Sequence, residues 1–369
     1  MKKLIGNVIF IQPELPLYRV AFFDRLHQSL GDALCVCVSK GSLGSLTPHQ
    51  NCESWRCSLG KTIKYKELLY WQCGALSTPI RNGDVVVISG APRYLSNWFI
   101  VLKAKTMGAR IVWWGHYRSS SSSRLGIAIR RFLMRYVDHI LFYTDREVED
   151  FFRESTPIFR YRVSALNNGL SLEKISTHRL TYIPSRRGEH LFFIGRLTRK
   201  ARVDLLLHAA ASQSLAHVTL NVVGDGVERE SLQITAQSLG LQDRVKWHGA
   251  LTDEAAIAEI ANQCSIFVYP GSVGLSLIHA MAYGLPAVVH GSPHHHMPEF
   301  YAFIEGVTGC AFKFGDVESL IDRVCFALAD LERLNQWSIQ SLARVQDTFN
   351  TRDMAVRFDR MLNVLDVQR

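Results

Sequence analysis

A strand, a glycine turn, a helix and the start of a second strand follow one another without a break between Cys264 and Val289. Cys264-Ser-Ile-Phe-Val268 is apolar and uncharged, with the β-branched and aromatic residues of a buried strand. Beyond Tyr269-Pro-Gly271-Ser-Val-Gly274, the residues Leu275, Ile278, Met281 and Ala282 recur at helical spacing, which predicts a helix starting near Gly274. Gly284-Leu-Pro286 stops that helix, and Ala287-Val-Val289 opens the next strand. A strand that enters a helix through glycines turns backbone N–H groups toward whatever sits above the loop, and the helix dipole favours an anion there. The stretch reads as a βαβ unit with a phosphate site at the carboxyl end of its first strand. The alternative is that the glycines serve only close packing, as in the turns of any doubly wound domain.

The same alternation runs through the rest of the chain. Strand-like segments at residues 4–11, 34–38, 85–88, 109–113, 140–143 and 161–166 are separated by helical stretches at about 19–30, 95–107 and 146–152. A polar segment, residues 171–189, reads as an interdomain linker. Strands at 191–194, 218–223, 245–248 and 265–268 then restart the pattern. This predicts an α/β protein of two Rossmann-like, doubly wound parallel-sheet domains, residues 1–182 and 183–345, with ligands in a cleft at the strands' carboxyl ends. A length of 369 residues fits two domains.

The segment from Pro270 to Pro286 resembles the donor-sugar loop of the retaining GT-B glycosyltransferases of the family 4 type. It keeps Pro270, Gly274, Leu275, Ala280, Met281, Ala282, Gly284 and Pro286 of that pattern. It departs at the family's two glutamates, where Gly271 and His279 stand. It is similar to a variant branch that reads Gly-x-Val-Gly-Leu, Ile-His-Ala and Met-Pro-Glu-Phe. The resemblance extends to Phe193-Ile-Gly195-Arg196-Leu197, Val222-Val-Gly224-Asp-Gly226 and Arg244-Val-Lys-Trp-His-Gly249, in family order from Asn168 to Asp316, and more weakly to the first domain. It implies the GT-B fold, with the helix at about 346–369 returning to the first domain.

The resemblance also implies roles. Arg196 and Lys200 would hold the donor's diphosphate, although the family's lysine position falls on Ala201 and Lys200 lies one residue early. Basic residues there suit the chemistry, because negative charge grows on a leaving diphosphate and placed cations stabilise it. One pair of unit charges about 4 Å apart is worth about 4 kcal/mol at an effective dielectric of about 20. No Asp-x-Asp pair stands in the chain to hold Mg²⁺, so neither a metal nor another cofactor is expected. Gly195, Gly224, Gly249 and the turn Gly271, Ser272, Val273, Gly274, Leu275 and Ser276 would line the donor site. His279 would meet the ribose hydroxyls with one hydrogen bond, or else be a packed helix histidine. Glu299 would replace a lost carboxylate, or else simply start a helix after Pro298. In the first domain His116, at a strand end, would meet the donor sugar. Tyr18, Arg19, Arg93, Tyr94 and Asn168 would lie on the acceptor side, Asn168-Gly169 being explained almost as well by a turn.

Charge narrows the partners. Residues 1–182 hold 25 Lys+Arg against 13 Asp+Glu, a balance of +12, and the remainder 17 against 20, a balance of −3. An anionic partner for the first half follows, nucleic acid or an anionic membrane face. Given the resemblance, nucleic acid is set aside. The basic, apolar helix at residues 124–135, after a serine loop at 119–123, favours the inner face of the cytoplasmic membrane. No apolar run reaches a membrane span and no secretory signal precedes the first strand, so a cytoplasmic, peripherally bound protein is expected. The eight cysteines lack Cys-x-x-Cys spacing and read as buried free thiols, and His294, His295 and His296 as an exposed loop. The resulting expectation is transfer of a sugar from a UDP- or GDP-sugar to a saccharide, free or lipid-linked, in bacterial surface polysaccharide or lipopolysaccharide synthesis. Two rivals remain open, a nucleotide-sugar 2-epimerase of the same fold and a non-catalytic nucleotide-sugar-binding subunit. A nicotinamide enzyme is disfavoured, since no Gly-x-Gly-x-x-Gly follows the first strand.

Overall fold

A computed structural model describes residues 6–40, 54–66, 68–117, 124–154 and 162–367. Two compact units emerge: one formed by Met1–Asn168 with Thr351–Arg369, the other by Gly169–Asn350.

In the first unit the elements run β1 (Val8–Gln12), α1 (Leu17–Leu30), β2 (Leu34–Lys40), β3 (Arg56–Tyr65), β4 (Leu69–Gln72), β5 (Val85–Ser89), α2 (Leu95–Thr106), β6 (Arg110–Trp114), α3 (Arg124–Met134), β7 (His139–Phe142), α4 (Asp145–Glu154) and β8 (Val163–Ala165). They make an eight-stranded sheet in the order β4-β3-β2-β1-β5-β6-β7-β8. Every pairing is parallel except β3–β4, an antiparallel hairpin that the sequence reading missed. The C-terminal helix, Thr351–Val367, closes one face: Phe358 meets Phe10 at 5.3 Å and Phe22 at 6.2 Å between ring centroids, and Arg357 pairs with Asp145 at 2.9 Å.

In the second unit α5 (Glu173–His178) precedes β9 (His190–Ile194), α6 (Val203–Ala210), β10 (Thr219–Val223), α7 (Arg229–Ser238), β11 (Val245–Gly249), α8 (Glu254–Ala261), β12 (Ile266–Tyr269), α9 (Leu275–Ala282), β13 (Ala287–His290), β14 (Gly309–Phe312), α10 (Val317–Leu328) and α11 (Leu331–Asp347). The sheet is fully parallel, in the order β11-β10-β9-β12-β13-β14. That is the doubly wound Rossmann order, whose strand sequence reverses between β9 and β12, and ligands of such sheets bind at the carboxyl ends beside that reversal.

Three expectations need correction. The boundaries fall at 168/169 and 350/351, not 182/183 and 345/346. Residues 171–189 are no free linker: Ile175 is buried in the second core, the Tyr182 hydroxyl donates to Ser265 O at 2.7 Å, and the buried Arg187 donates to Ala261 O and Cys264 O at 2.9 and 2.8 Å. The cysteines are not uniformly buried, since Cys57 and Cys73 are exposed. Strand register moreover gathers Cys35, Cys37 and Cys57, with Sγ–Sγ separations from Cys35 of 3.5 Å to Cys37 and 3.0 Å to Cys57. Cys52 and the serine loop at 119–123 lie outside the described residues.

Candidate functional site

In the second unit the loops after β11, β10, β9 and β12 meet backbone to backbone. Gly224 N donates to Gly249 O at 2.7 Å, and Gly195 N donates to Val223 O at 3.0 Å. Gly224 has φ +139, and a Cβ there would fall 1.8 Å from Gly195 O, so only glycine fits. Gly195 faces the Tyr269 hydroxyl and Ser276 Oγ, which a Cβ would approach to 3.2 and 3.4 Å. The reversal between β9 and β12 is therefore the point where the Gly195 and Gly271–Gly274 loops come together.

This contact explains Gly271. Ser272 N donates to Lys200 O at 2.8 Å, which draws the β9–α6 loop against the β12–α9 loop. A Cβ on Gly271 would lie 2.0 Å from Lys200 O and 2.5 Å from Ala201 C. The space that a side chain at 271 needs is filled by backbone. Ala201, at the family's lysine position, is itself buried, whereas Arg196 and Lys200 are exposed at the same strand end.

The phosphate reading narrows within the turn. Val273 N–H donates to His296 Nδ1 at 3.2 Å, and its side chain is buried, so neither Val273 nor Ser272 has its N–H to offer a ligand. Gly274, Leu275 and Ser276 are partly exposed at the start of α9, where N–H groups lack intrahelical acceptors. His296 was expected in an exposed loop. It is buried, donates from Nε2 to His290 O at 2.8 Å, and stacks between His290 at 3.7 Å and Phe300 at 3.9 Å. Burial pulls its pKa down to about 3, so the ring is neutral with its proton on Nε2. Glu299 is buried beyond it, and its Oε2 would lie 3.4 Å from a Cβ on Gly274, which sets a carboxylate beside the start of α9.

His279 has a partner that the sequence did not suggest. Its Nε2 lies 2.8 Å from Glu254 Oε1, and the same oxygen accepts from the Tyr283 hydroxyl at 2.5 Å. Burial pushes the Glu254 carboxyl up, but the hydrogen bond and charge of His279, with help from Tyr283, outweigh it and hold the pKa below the ordinary value. His279 therefore keeps only Nδ1 unengaged by Glu254, and the expected single bond to a ribose falls to that nitrogen.

In the first unit the strand ends enclose a separate cavity of about 260 Å³. Tyr18, Arg19, Arg93, Tyr94 and His116, all singled out from the sequence, line it together. The Arg19 guanidinium sits 4.4 Å from the Trp114 ring centroid and 5.4 Å from that of Tyr143. Tyr94 stacks on Tyr70 at 5.0 Å, and the Arg93 guanidinium lies 5.1 Å from the Tyr70 centroid. His116 Nδ1 is 3.5 Å from Glu147 Oε1, whose carboxylate also accepts from Tyr117 N and Tyr143 N at 3.1 Å each. Asn168 does not line this cavity; it is buried at the unit's last strand end, its N–H bonded to Tyr143 O at 2.8 Å. Sequence reasoning missed Gln12, Glu14, Thr62, Lys64 and Tyr70. The alternation Thr62-Ile-Lys64-Tyr, with the even positions facing inward, was the available signal.

The α3 expectation changes as well. Arg130 turns inward, its Nη1 donating to Tyr117 O at 3.4 Å, and burial lowers its pKa, with Glu147 opposing and Arg93 adding to that shift. Arg131 Nη2 reaches Glu154 O at 3.2 Å, while Arg135 is exposed. The outward face carries Ile129 and Phe132, with Tyr136 exposed just past the helix end, and α2 adds Leu95, Phe99 and Leu102. Among the described residues no helix is long and apolar enough to cross a membrane.

Residues 184–343 match the family model for glycosyl transferases group 1. The second unit carries a glycosyltransferase group 1 domain. No curated protein matches the chain. Among solved structures the chain is similar to Anabaena HepE in complex with UDP, at a TM-score of 0.73 and 14% identity over 97% of this chain and 99% of that one. It is similar to the lipopolysaccharide outer core galactosyltransferase WaaB in its apo form, at 0.69 and 14% over 96% and 99%. A third likeness is to S. aureus TarM, solved with α-GlcNAc-glycerol and UDP, at 0.59 and 12%; there 77% of this chain spans 56% of that one. At such identities the likeness is one of fold, the GT-B fold of two parallel-sheet Rossmann-like domains.

Proposed function

We propose that the chain is a retaining glycosyltransferase that moves a sugar from a UDP- or GDP-sugar to a saccharide acceptor without a metal. The observation carrying this is the meeting of the Gly195 and Gly271–Gly274 loops at the strand-order reversal, with Arg196, Lys200 and the first turn of α9 at the same strand ends. In the reaction the bond from the anomeric carbon to a phosphate oxygen breaks, and its electron pair leaves with the nucleoside diphosphate. The acceptor oxygen bonds to that carbon from the same face, and its proton passes to the departing phosphate oxygen. Arg196, Lys200 and the N–H groups of Gly274, Leu275 and Ser276 compensate the charge that develops on the diphosphate. Glu299 binds donor hydroxyls, and His279 binds the nucleoside through Nδ1. The structures similar in fold include one bound to UDP and a galactosyltransferase of lipopolysaccharide, which supports this donor class and a cell-surface saccharide product.

Turnover across a panel of nucleotide sugars, with the product anomer assigned by NMR, tests the reading. Arg196→Ala in a folded protein should lower turnover about 100-fold or more, the scale of losing one preorganised charge partner. Activity should persist in EDTA. Near-normal turnover of the variant, an inverted product or a Mg²⁺-reversible loss in EDTA would each refute the corresponding part.

We further propose that the acceptor is lipid-linked and that the first unit docks on the anionic inner face of the cytoplasmic membrane. The exposed aromatic and aliphatic side chains of α2 and α3 would enter the interface, with Arg135 and the unit's positive charge meeting lipid phosphates. Sedimentation with vesicles should show binding that rises with anionic lipid and falls with salt. Phe99→Ser with Phe132→Ser should weaken it more than Arg130→Gln, since Arg130 faces inward. Equal binding to neutral vesicles, or none to anionic ones at low salt, would point to a soluble acceptor.

A further inference from the structure

We propose that the cavity at the strand ends of the first unit binds an acidic saccharide, holding its carboxylate or phosphate with Arg19, Lys64 and Arg93. Naming this saccharide the acceptor rests on the glycosyl-transfer reading above; the binding itself does not. Among the described residues three cations line the cavity against one carboxylate, Glu14. They arrive from unrelated segments, the first turn of α1, the β3–β4 hairpin and the loop after β5, so they are not one solvated run of charge. The hairpin makes the arrangement possible. Tyr70 N donates to Arg93 O at 2.8 Å, tying β4 to the β5 loop, and β3 then presents Lys64 and Thr62 to the cavity while Ile63 and Tyr65 face solvent.

The two arginines are pre-set. Each guanidinium lies against an aromatic ring, Arg19 against Trp114 and Arg93 against Tyr70. A guanidinium stacked in this way keeps its N–H fork in a defined plane, the geometry that meets an oxyanion with two bonds. Neutral hydroxyls need no such convergence of positive charge, and desolvating it around them would be unfavourable. The stacked Tyr70–Tyr94 pair supplies an apolar wall for a sugar ring. Gln12 adds an independent pointer. It lines the cavity at 4% exposure, and its Nε2 has no hydrogen-bond partner among the described residues. A buried amide donor is normally satisfied, so this one calls for a ligand oxygen.

Ligand-observed NMR on the full chain without nucleotide compares methyl β-glucuronide, glucose 6-phosphate and methyl β-glucoside at low salt. At least one acidic sugar should bind roughly tenfold or more tightly than the neutral one, and salt should erode the difference. The acidic sugar that binds identifies the group as carboxylate or phosphate. Arg93→Gln and Lys64→Gln should abolish the preference, and Lys64→Arg should keep it, with circular dichroism confirming the fold of each. Equal binding of all three sugars, no binding at all, competition by inorganic phosphate alone at the same strength, or a preference that survives the double substitution would overturn the proposal. Failure of every nucleotide sugar to turn over would refute glycosyl transfer and leave this result unaffected.

Discussion

At position 271 the glycine that stands where the resembled pattern has a glutamate is a packing fact before it is a chemical one. Lys200 O and Ala201 occupy the volume that a side chain there would need. Position 279 is similar, because Glu254 already supplies a carboxylate 2.8 Å from the imidazole. Restoring the family residues should therefore fail at both sites. Gly271→Glu forces apart two backbone segments, a change of the kind that costs about 1–3 kcal/mol or more. His279→Glu sets two carboxylates together and leaves Glu254 with the Tyr283 hydroxyl but no cationic partner, a loss of about 3 kcal/mol. Glu254→Gln should rescue the second variant and not the first. Urea denaturation decides it, and a Gly271→Glu protein as stable as the parent would mean that the two loops part easily. Neither constraint could be read from the chain: the resemblance located both departures, but the partners sit on other loops and helices at large sequence separation.

At the scale of elements, the segment from β13 to Phe300 braces the first turn of α9 through the stack His290–His296–Phe300. His290 and His296 are buried with pKa values pulled down to about 4 and about 3, by burial first and, for His290, by neighbouring His295. His139, buried in β7 of the first unit, is likewise held at about 4. The unfolded chain takes up these protons first, near 6.5, so stability is full above that value and is lost as pH falls toward 4. Each isolated histidine contributes a slope of about 1.4 kcal/mol per pH unit in that window. The urea midpoint should drop between pH 7 and pH 5, and less steeply in His139→Phe; a flat profile would show that these rings are hydrated. Strands such as β9, β10 and β12 were legible, because each is a short, largely apolar run rich in β-branched or aromatic residues with a glycine turn just after it. The β3–β4 hairpin was not, since Lys61, Lys64 and Lys66 alternate with its apolar residues and mimic a loop. Residues 171–189 misled in the opposite direction: a polar composition hid three scattered anchors, Ile175, Tyr182 and Arg187.

For the whole molecule, two parallel sheets with helices on their faces follow from strand and helix alternation, and the GT-B likeness agrees with that reading. Strand order, and with it the meeting of the Gly195 and Gly271 loops, needed the structure. The first unit is also discontinuous in the chain. Met354, Phe358, Met361, Leu362 and Leu365 of the C-terminal helix complete a core whose other members, among them Phe10, Phe22 and Trp114, lie before residue 168. On a ribosome, that half-built core must wait while the roughly 180 residues of the second unit are made, about 10–40 s at ordinary synthesis rates. For that interval its aromatic face is open to water and to other chains. The helix from Thr351 to Val367 thus sets when the strands before residue 168 can finish folding.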